Sequence, residues 1–252
     1  MEQIRRPFQG VLNILRFNWH FYLLSLGVLF LLFFLAGFLP GYNQRYFYGL
    51  CFLILGMSVI SLLVSYYVYD LSGLYDFSWL KVLETDRRIV NISAGFDETS
   101  HLLRNRFREG ELIVLDFYDP QKHTEVSIKR ARKAYPVFEG TRQVNTTELG
   151  LEDDSADKIF VILSAHEIRD ESERIIFFKA LKKALKPNGQ VFIIEHLRDW
   201  TNFLAYNIGF FHFYSKSTWC KTFREAGLKV QCEIRQTPFI STFILQKNGD
   251  TF

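Results

Sequence analysis

The chain begins with a nearly unbroken apolar pattern and changes character close to residue 70. No Asp, Glu, Lys or Arg occurs from Phe17 to Gln44, and within that window Phe21–Leu39 reads FYLLSLGVLFLLFFLAGFL. As a helix, a run of that length rises roughly 28 Å, close to the hydrocarbon thickness of a bilayer. After the turn signal Pro40-Gly41, a second uncharged run covers Tyr46–Tyr69. Both runs exceed the roughly 18 apolar residues that mark a membrane span. They predict a helical hairpin in residues 1–69, with transmembrane helices over 19–39 and 46–69. Neither run ends in the small-residue cleavage site of a signal peptide. Trp19, Tyr22, Tyr46, Tyr48, Tyr66 and Tyr67 fall near the edges of the spans, where amphipathic rings favour the headgroup zone. Gly10–Phe17 reads as a short interfacial lead-in helix.

From Asp70 onward, short apolar runs alternate with amphipathic stretches. Arg88–Ile92, Leu112–Leu115, Lys158–Leu163 and Val191–Ile194 are β-branched and apolar on both faces, the signature of buried strands. Glu98–Arg108 and Asp170–Leu185 have helical patterning between them. Strands alternating with helices predict an α/β, Rossmann-like doubly wound, mostly parallel sheet. Leu228–Ile234 and Phe239–Leu245 break the alternation and predict a C-terminal antiparallel hairpin. The expected organisation is thus a membrane anchor over 1–69, a linker over 70–86 and a catalytic-type domain over 87–252.

Composition sharpens this division. The 252 residues are 48% apolar and 23% charged, too apolar for a disordered chain. The formal charge of +3 lies wholly in residues 1–69, since 26 basic and 26 acidic residues make up the charge from Asp70 onward. A neutral domain behind a basic, apolar segment gives no ground for a nucleic-acid partner. Arg5, Arg6 and Arg16 precede the first span, against Arg45 alone in the connecting loop, so the positive-inside rule places the N-terminus and the domain on the cytoplasmic face of a bacterial-type inner membrane. Cys51, Cys220 and Cys232 form no C-x-x-C pair and support neither a disulfide framework nor a zinc knuckle.

In a doubly wound sheet, ligands bind beyond the carboxyl ends of the strands. Small residues in Ser93-Ala94-Gly95 would let the backbone approach a ligand after the first strand. Asp116 ends the second strand about 20 residues further on, a spacing that suits a carboxylate accepting from a ribose diol. His166-Glu167 follow the fourth strand and Glu195-His196 the fifth. A histidine near neutral pKa suits a general base, with Glu167 to orient it. Four such groups could bind a metal, but no spacing signature supports one and no metal is expected. Asn202–Tyr214 is unusually aromatic and could line an apolar acceptor pocket, with His212 as a second polar candidate.

Taken in order, these features resemble the class I S-adenosylmethionine-dependent methyltransferases over Arg87 to about Leu245. Ile89–Asp97 stands where that family has an acid followed by three alternating glycines. Asn145, before the fourth strand, stands where it has the acid that recognises adenine. Leu185-Lys186-Pro187-Asn188-Gly189 is similar to its LKPGG turn. The resemblance implies S-adenosyl-L-methionine as cofactor, held by Asn91, Ser93, Ala94, Gly95, Asp97, Asp116, Asn145, Thr146 and Ser164. Four positions depart from the family pattern: Asn91, Ser93, Asp97 and Asn145. Asn91 keeps an acceptor oxygen but loses the charge that would face the cationic end of the cofactor. Tyr69-Asp70-Leu71-Ser72 through Trp79 looks like the first helix of the ubiquinone/menaquinone C-methyltransferases, which implies a cofactor-covering helix with Tyr69 and Tyr75. The expectation is a membrane-anchored methyltransferase acting on a lipophilic acceptor, such as a phenolic or quinone precursor, a polyene or aryl pigment, or a lipid. His166, Glu167 and His212 are its catalytic candidates. The eroded glycine motif supports an alternative, a catalytically degenerate binding or scaffold module. A nicotinamide-dependent enzyme fits less well because G-x-G-x-x-G is absent.

Overall fold

The computed structural model describes residues 5–248. Helix α1 (Gln9–Ala36) and helix α2 (Gly41–Tyr66) form an antiparallel pair joined at Gly37–Pro40, and α2 runs on into a π turn over Tyr67–Leu71. Both helices are long and apolar enough to cross a membrane, and almost none of their most apolar stretches is buried within the protein. Phe30 and Phe33 of α1, Phe38 in the connecting turn and Phe52 of α2 are each more than 60% exposed. The lead-in segment and the first span are one helix, bent at Asn18, whose dihedrals leave the helical region. Before the bend, Gly10, Asn13 and Phe17 are buried; beyond it, most side chains of α1 are exposed or half-buried, and Ala36 is buried at its end. At the bend, Arg130 donates to the Phe17 carbonyl at 2.6 Å.

Strands β1 (Arg88–Ser93), β2 (Glu111–Asp116), β3 (Arg142–Gln143), β4 (Ala156–Ile162), β5 (Leu185–His196), β6 (Leu228–Thr237) and β7 (Ile240–Lys247) form one sheet in the order β3-β2-β1-β4-β5-β7-β6. The first five are parallel, and β7 pairs antiparallel with both β5 and β6. The predicted doubly wound sheet with a terminal hairpin is the one observed. Each burial class follows from this topology: Ile89, Val90, Ile159, Phe160, Ile193 and Ile194 are fully buried because helices or the linker cover both faces. One face packs on α5 (Glu171–Ala184) and α7 (Lys216–Glu225) through Phe177, Phe178, Trp219 and Phe223. The other is covered by the π turn and linker through Val68, Leu74, Phe77 and Leu80.

Two expectations need correction. Residues 72–87 contain no helix; after the π turn the chain proceeds through turns that insert Leu74, Phe77 and Leu80 into the core. The helix expected over 98–108 is the shorter α3 (Ser100–Arg106), because the Asp97 carboxylate accepts from the Thr99 and Ser100 amides and fixes the start there. The remaining short helices are α4 (Val126–Ala134) after β2 and α6 (Trp200–Tyr206) after β5, the latter followed by a 3-10 segment over Asn207–His212.

Candidate functional site

β1 lies between β2 and β4, so the strand order reverses there and leaves a crevice at the carboxyl ends of β1 and β4. A cavity of about 1120 Å³ opens from that crevice. Ser93, Ala94, Phe96 and Thr99 line it on the β1 side, and Ser164, His166 and Glu167 on the β4 side. Its other wall is made by the N-terminal helices: Ile14, Phe17 and Leu24 of α1, with Met57, Ser61 and Ser65 of α2. Tyr69, Tyr75, His196 and His212 also line it.

The loop after β1 carries the backbone geometry a close-approaching ligand requires. Gly95 has φ +94°, and a Cβ there would stand 2.8 Å from the Tyr118 ring, so no larger residue fits. Buried Asn91 donates its amide to Thr99 Oγ1 (2.9 Å) and Ser100 Oγ (2.8 Å) and approaches Asp97 Oδ1 at 3.3 Å. Among the described residues, Asn91 Oδ1 and Asp97 Oδ2 are buried without a hydrogen-bond partner. Two orphaned acceptors side by side fit a cationic, hydrogen-rich group. Ser93 Oγ is 3.5 Å from the Leu115 carbonyl, and Ser164 Oγ donates to the Ile92 carbonyl at 3.0 Å, tying β4 to β1 at the crevice floor.

The ribose end is different. Asp116 is buried, accepts from the Tyr118 amide, and is paired with Arg132 at 2.6 Å. The Arg132 guanidinium also lies 4.3 Å from the Tyr118 ring centre. Gly95, Asp97 and Asp116 consequently face a crevice of only about 20 Å³. A ribose diol can reach Asp116 only if Arg132 gives way. Asn145 is exposed, and Thr146 is turned away to donate to Glu173 of α5. Neither lines the cavity, so the structure does not bring this pair together with the rest of the expected cofactor set.

Glu98 has a role that the sequence did not single out. Its carboxylate, largely buried, accepts from Gln9 (3.1 Å), Asn13 (3.0 Å) and Tyr75 (3.3 Å), and pairs with Arg5 at 3.3 Å. Arg5 in turn lies 3.7 Å above the Tyr75 ring. The Asp70 carboxylate accepts from the Gly10 and Val11 amides and caps α1. Gly10 is required at this contact, since a Cβ would lie 2.3 Å from Tyr69 Cβ. These contacts fasten the start of α1 to the ligand loop. Tyr69 itself bonds His196 Nε2 at 2.8 Å rather than standing over the loop.

On the opposite wall, His166 sits in the 3-10 turn Ala165–Glu167. Its Nδ1–H donates to fully buried Glu195 at 2.7 Å, and its Nε2 is 3.3 Å from Glu167. His212 lies 3.4 Å from Glu167 and 3.1 Å from Glu125. Burial opposes charge on His166, but Glu195 and Glu167 outweigh it and hold its pKa up to about 10. Burial also opposes charge on His212, and bonds to Glu125 and Glu167 raise its pKa as well. Burial raises and the two histidines lower the Glu167 carboxyl, with a net fall well below the ordinary range. In this state His166 carries a proton on both nitrogens at neutral pH. The carboxylate that holds this ring, Glu195, is one strand away in space and 29 residues away in sequence. His196 is the reverse case. Burial lowers its pKa to about 4, and its Nδ1 bonds the Phe239 carbonyl at 3.0 Å, so it stays neutral and serves as scaffold.

Residues 90–193 match a family model described as a methyltransferase domain. A search of curated protein sequences finds no match. Among solved structures, a chain from the complex between the Haloferax volcanii Trm112 methyltransferase activator and its methyltransferase aligns with a TM-score of 0.52 at 13% identity, over 72% of this chain and 90% of that one. A SAM-dependent methyltransferase from Aquifex aeolicus aligns with a TM-score of 0.49 at 16% identity, over 75% of this chain and 97% of that one. Residues 90–193, which match that methyltransferase model, have the sheet order and the loop after β1 of the class I S-adenosylmethionine-dependent methyltransferase fold, and the cofactor of such a domain is S-adenosylmethionine.

Proposed function

We propose that the protein is a membrane-anchored methyltransferase that acts on a lipophilic acceptor entering from the bilayer. The observation that carries this reading is the continuity of one cavity from the loop after β1 to the apolar faces of α1 and α2. An acceptor dissolved in lipid could reach the cofactor without crossing water. Lipid is also the medium that stabilises the exposed Phe and Leu side chains of both helices. Arg5, Arg6 and Arg16 on the domain side favour the cytoplasmic face. Trp200, Leu204, Ile208 and Phe211 are exposed on the adjoining α6 segment and suit the headgroup zone. Phenolic or quinone-type rings, aryl or polyene pigments and lipids all match the cavity in size and polarity.

The cofactor supplies an already activated methyl group, so the chain's own task is positioning. Asn91, Asp97 and the loop Ser93–Gly95 hold the cofactor's amino acid end. Asp116 takes the ribose after Arg132 swings aside. His166, Glu167 and His212 hold the polar head of the acceptor, while the helices exclude water from its apolar remainder.

A second reading, a degenerate scaffold, draws on the closed Asp116–Arg132 pair and the outward Asn145. One experiment separates them: incubate the full chain in lipid nanodiscs with methyl-labelled S-adenosylmethionine and bacterial membrane lipid extract. Label in the organic phase, reduced at least tenfold by Ser61→Trp with cofactor affinity unchanged, is expected. Cofactor binding without any transfer would establish the scaffold instead.

A further inference from the structure

The two histidines and three carboxylates on the acceptor wall form a more specific arrangement than acceptor binding requires. The ligand atoms offered by His166, Glu167 and His212 all lie within 4.8 Å of one another. Glu167 Oε1 stands 3.3 Å from His166 Nε2 and 3.4 Å from His212 Nε2, so three donors converge on one point from two different loops. The far nitrogen of His166 is fixed by Glu195, which is fully buried and also accepts the His166 backbone amide at 3.2 Å. With Nδ1–H held by that carboxylate, the proton that a bound cation displaces is the one on Nε2, whose lone pair then faces the convergence point. A metal-ligating histidine is usually held in this way. Glu125 stands 3.1 Å from His212 Nδ1 and performs the corresponding role there.

Charge points the same way. Glu125, Glu167 and Glu195 face a single guanidinium, Arg169, which donates to the His212 carbonyl at 2.7 Å and lies against the His212 ring. With neutral imidazoles the group sums to a formal charge of −2. We propose that His166, Glu167 and His212 are the ligands of a first-row divalent cation, of the zinc, iron or manganese type, on the acceptor wall of the cavity. Two imidazoles and one carboxylate favour these ions over calcium or magnesium, and three protein ligands leave coordination positions open toward the cavity. Occupancy requires the Arg169 guanidinium to leave the His212 ring. Glu125, 3.8 Å away, offers that guanidinium a carboxylate partner.

This inference rests on the methyltransferase reading and deepens it, because a cation here selects an acceptor with an oxygen to offer. A hydroxyl bound to the ion loses its proton to water through the cavity mouth. The oxygen lone pair then forms the bond to the methyl carbon as the carbon–sulfur bond breaks. Its electron pair stays on sulfur, and the cationic sulfonium becomes a neutral thioether. One proton is released per methyl transferred.

The test uses the full chain in detergent, stripped with chelator and titrated with Co²⁺ alone, followed by displacement with Zn²⁺. One equivalent of Co²⁺ is expected to bind with visible d–d bands, and Zn²⁺ to abolish them. His212→Gln and Glu167→Gln should weaken Co²⁺ binding at least tenfold, and Glu195→Gln by 10–100-fold. Cofactor affinity and thermal unfolding of the stripped variants should stay unchanged for His212→Gln, which shows that the fold is intact. Absence of binding below millimolar Co²⁺, or equal affinity in His212→Gln, overturns the metal site. Methyl transfer that persists in chelator would refute the site's catalytic use and leave the methyltransferase reading standing. Failure of transfer with Co²⁺ binding intact would refute that reading and leave the site standing.

Discussion

Glu195→Gln isolates the one buried carboxylate that governs the acceptor wall. In the metal-free protein, the rise of the His166 pKa from its ordinary 6.5 to about 10 corresponds to on the order of 5 kcal/mol in favour of the imidazolium. Burial works against that charge, so the favourable part comes from Glu195 and Glu167. Glu195 makes the shorter contact, 2.7 Å against 3.3 Å, and is the more deeply buried, so about half or more of the effect belongs to it. The amide of Gln keeps an oxygen for the Nδ1–H but carries no charge. Burial then dominates, and the His166 pKa should fall to 7 or below, a change of about 4 kcal/mol or more. The folded pKa of the parent lies above the unfolded value. His166 therefore contributes stability that is complete below about pH 6.5 and is lost as pH rises toward 10. Thermal unfolding of the chelator-treated parent at pH 6 and pH 9.5 should show that loss, and Glu195→Gln should flatten it. Nuclear magnetic resonance of ring-labelled histidine reads the titration directly. A His166 resonance in Glu195→Gln that still titrates near 10 would refute the assignment of the charge to Glu195.

Other perturbations probe the cofactor side and the anchor. Asp116→Ala should weaken S-adenosylmethionine at least tenfold by calorimetry, in keeping with the roughly 1.5–3 kcal/mol of a hydrogen bond to a charged group. Arg132→Ala should tighten it several-fold, because the ribose no longer displaces a guanidinium from Asp116. Asn91→Asp places a second carboxylate beside Asp97, and it should lower the melting temperature of the free protein while increasing the stabilisation given by cofactor. Equal cofactor-induced shifts in parent and variant would remove Asn91 from the cofactor's cationic end. Gly10→Val must displace Tyr69 from a 2.3 Å Cβ contact, and should reduce transfer to a lipid acceptor more than cofactor binding in the two paired assays.

The parts of the molecule written in local pattern were legible from sequence. The two apolar runs became α1 and α2, and each β-branched run became a parallel strand, because a strand buried on both faces leaves a continuous apolar signature. Asp116 and the loop Ser93–Asp97 fell at the expected strand ends because topology alone puts them there. What could not be read is what depends on pairing between distant segments. Arg132 gives no sign in sequence that it closes on Asp116, and Glu125 none that it reaches His212. Asn145 and Thr146 have the right position along the chain, but the bond from Thr146 to Glu173 turns that loop toward α5. The linker differs for another reason: the resemblance of Tyr69–Trp79 to the quinone C-methyltransferases implies a helix there, but the sheet face takes Leu74, Phe77 and Leu80 from a chain of turns.

The N-terminal helices do more than a tether would. A tether would act only through effective concentration and would need no contact with the site. Here Arg5, Gln9 and Asn13 converge on Glu98 in the loop that receives the cofactor, and Asp70 caps α1 from the linker. Tyr135, at the end of α4, donates to Asn13 at 2.8 Å, and Arg130 donates at the bend of α1. Because α4 also carries Arg132, the helix that closes on Asp116 is held by α1. A shift of α1 therefore bears on the ribose acid through two hydrogen bonds and one short helix. Removing residues 5–17 would open one side of the cavity and free α4 together, so the anchor is part of the site's wall and its loss should weaken cofactor binding even in detergent, where no bilayer remains to concentrate the acceptor.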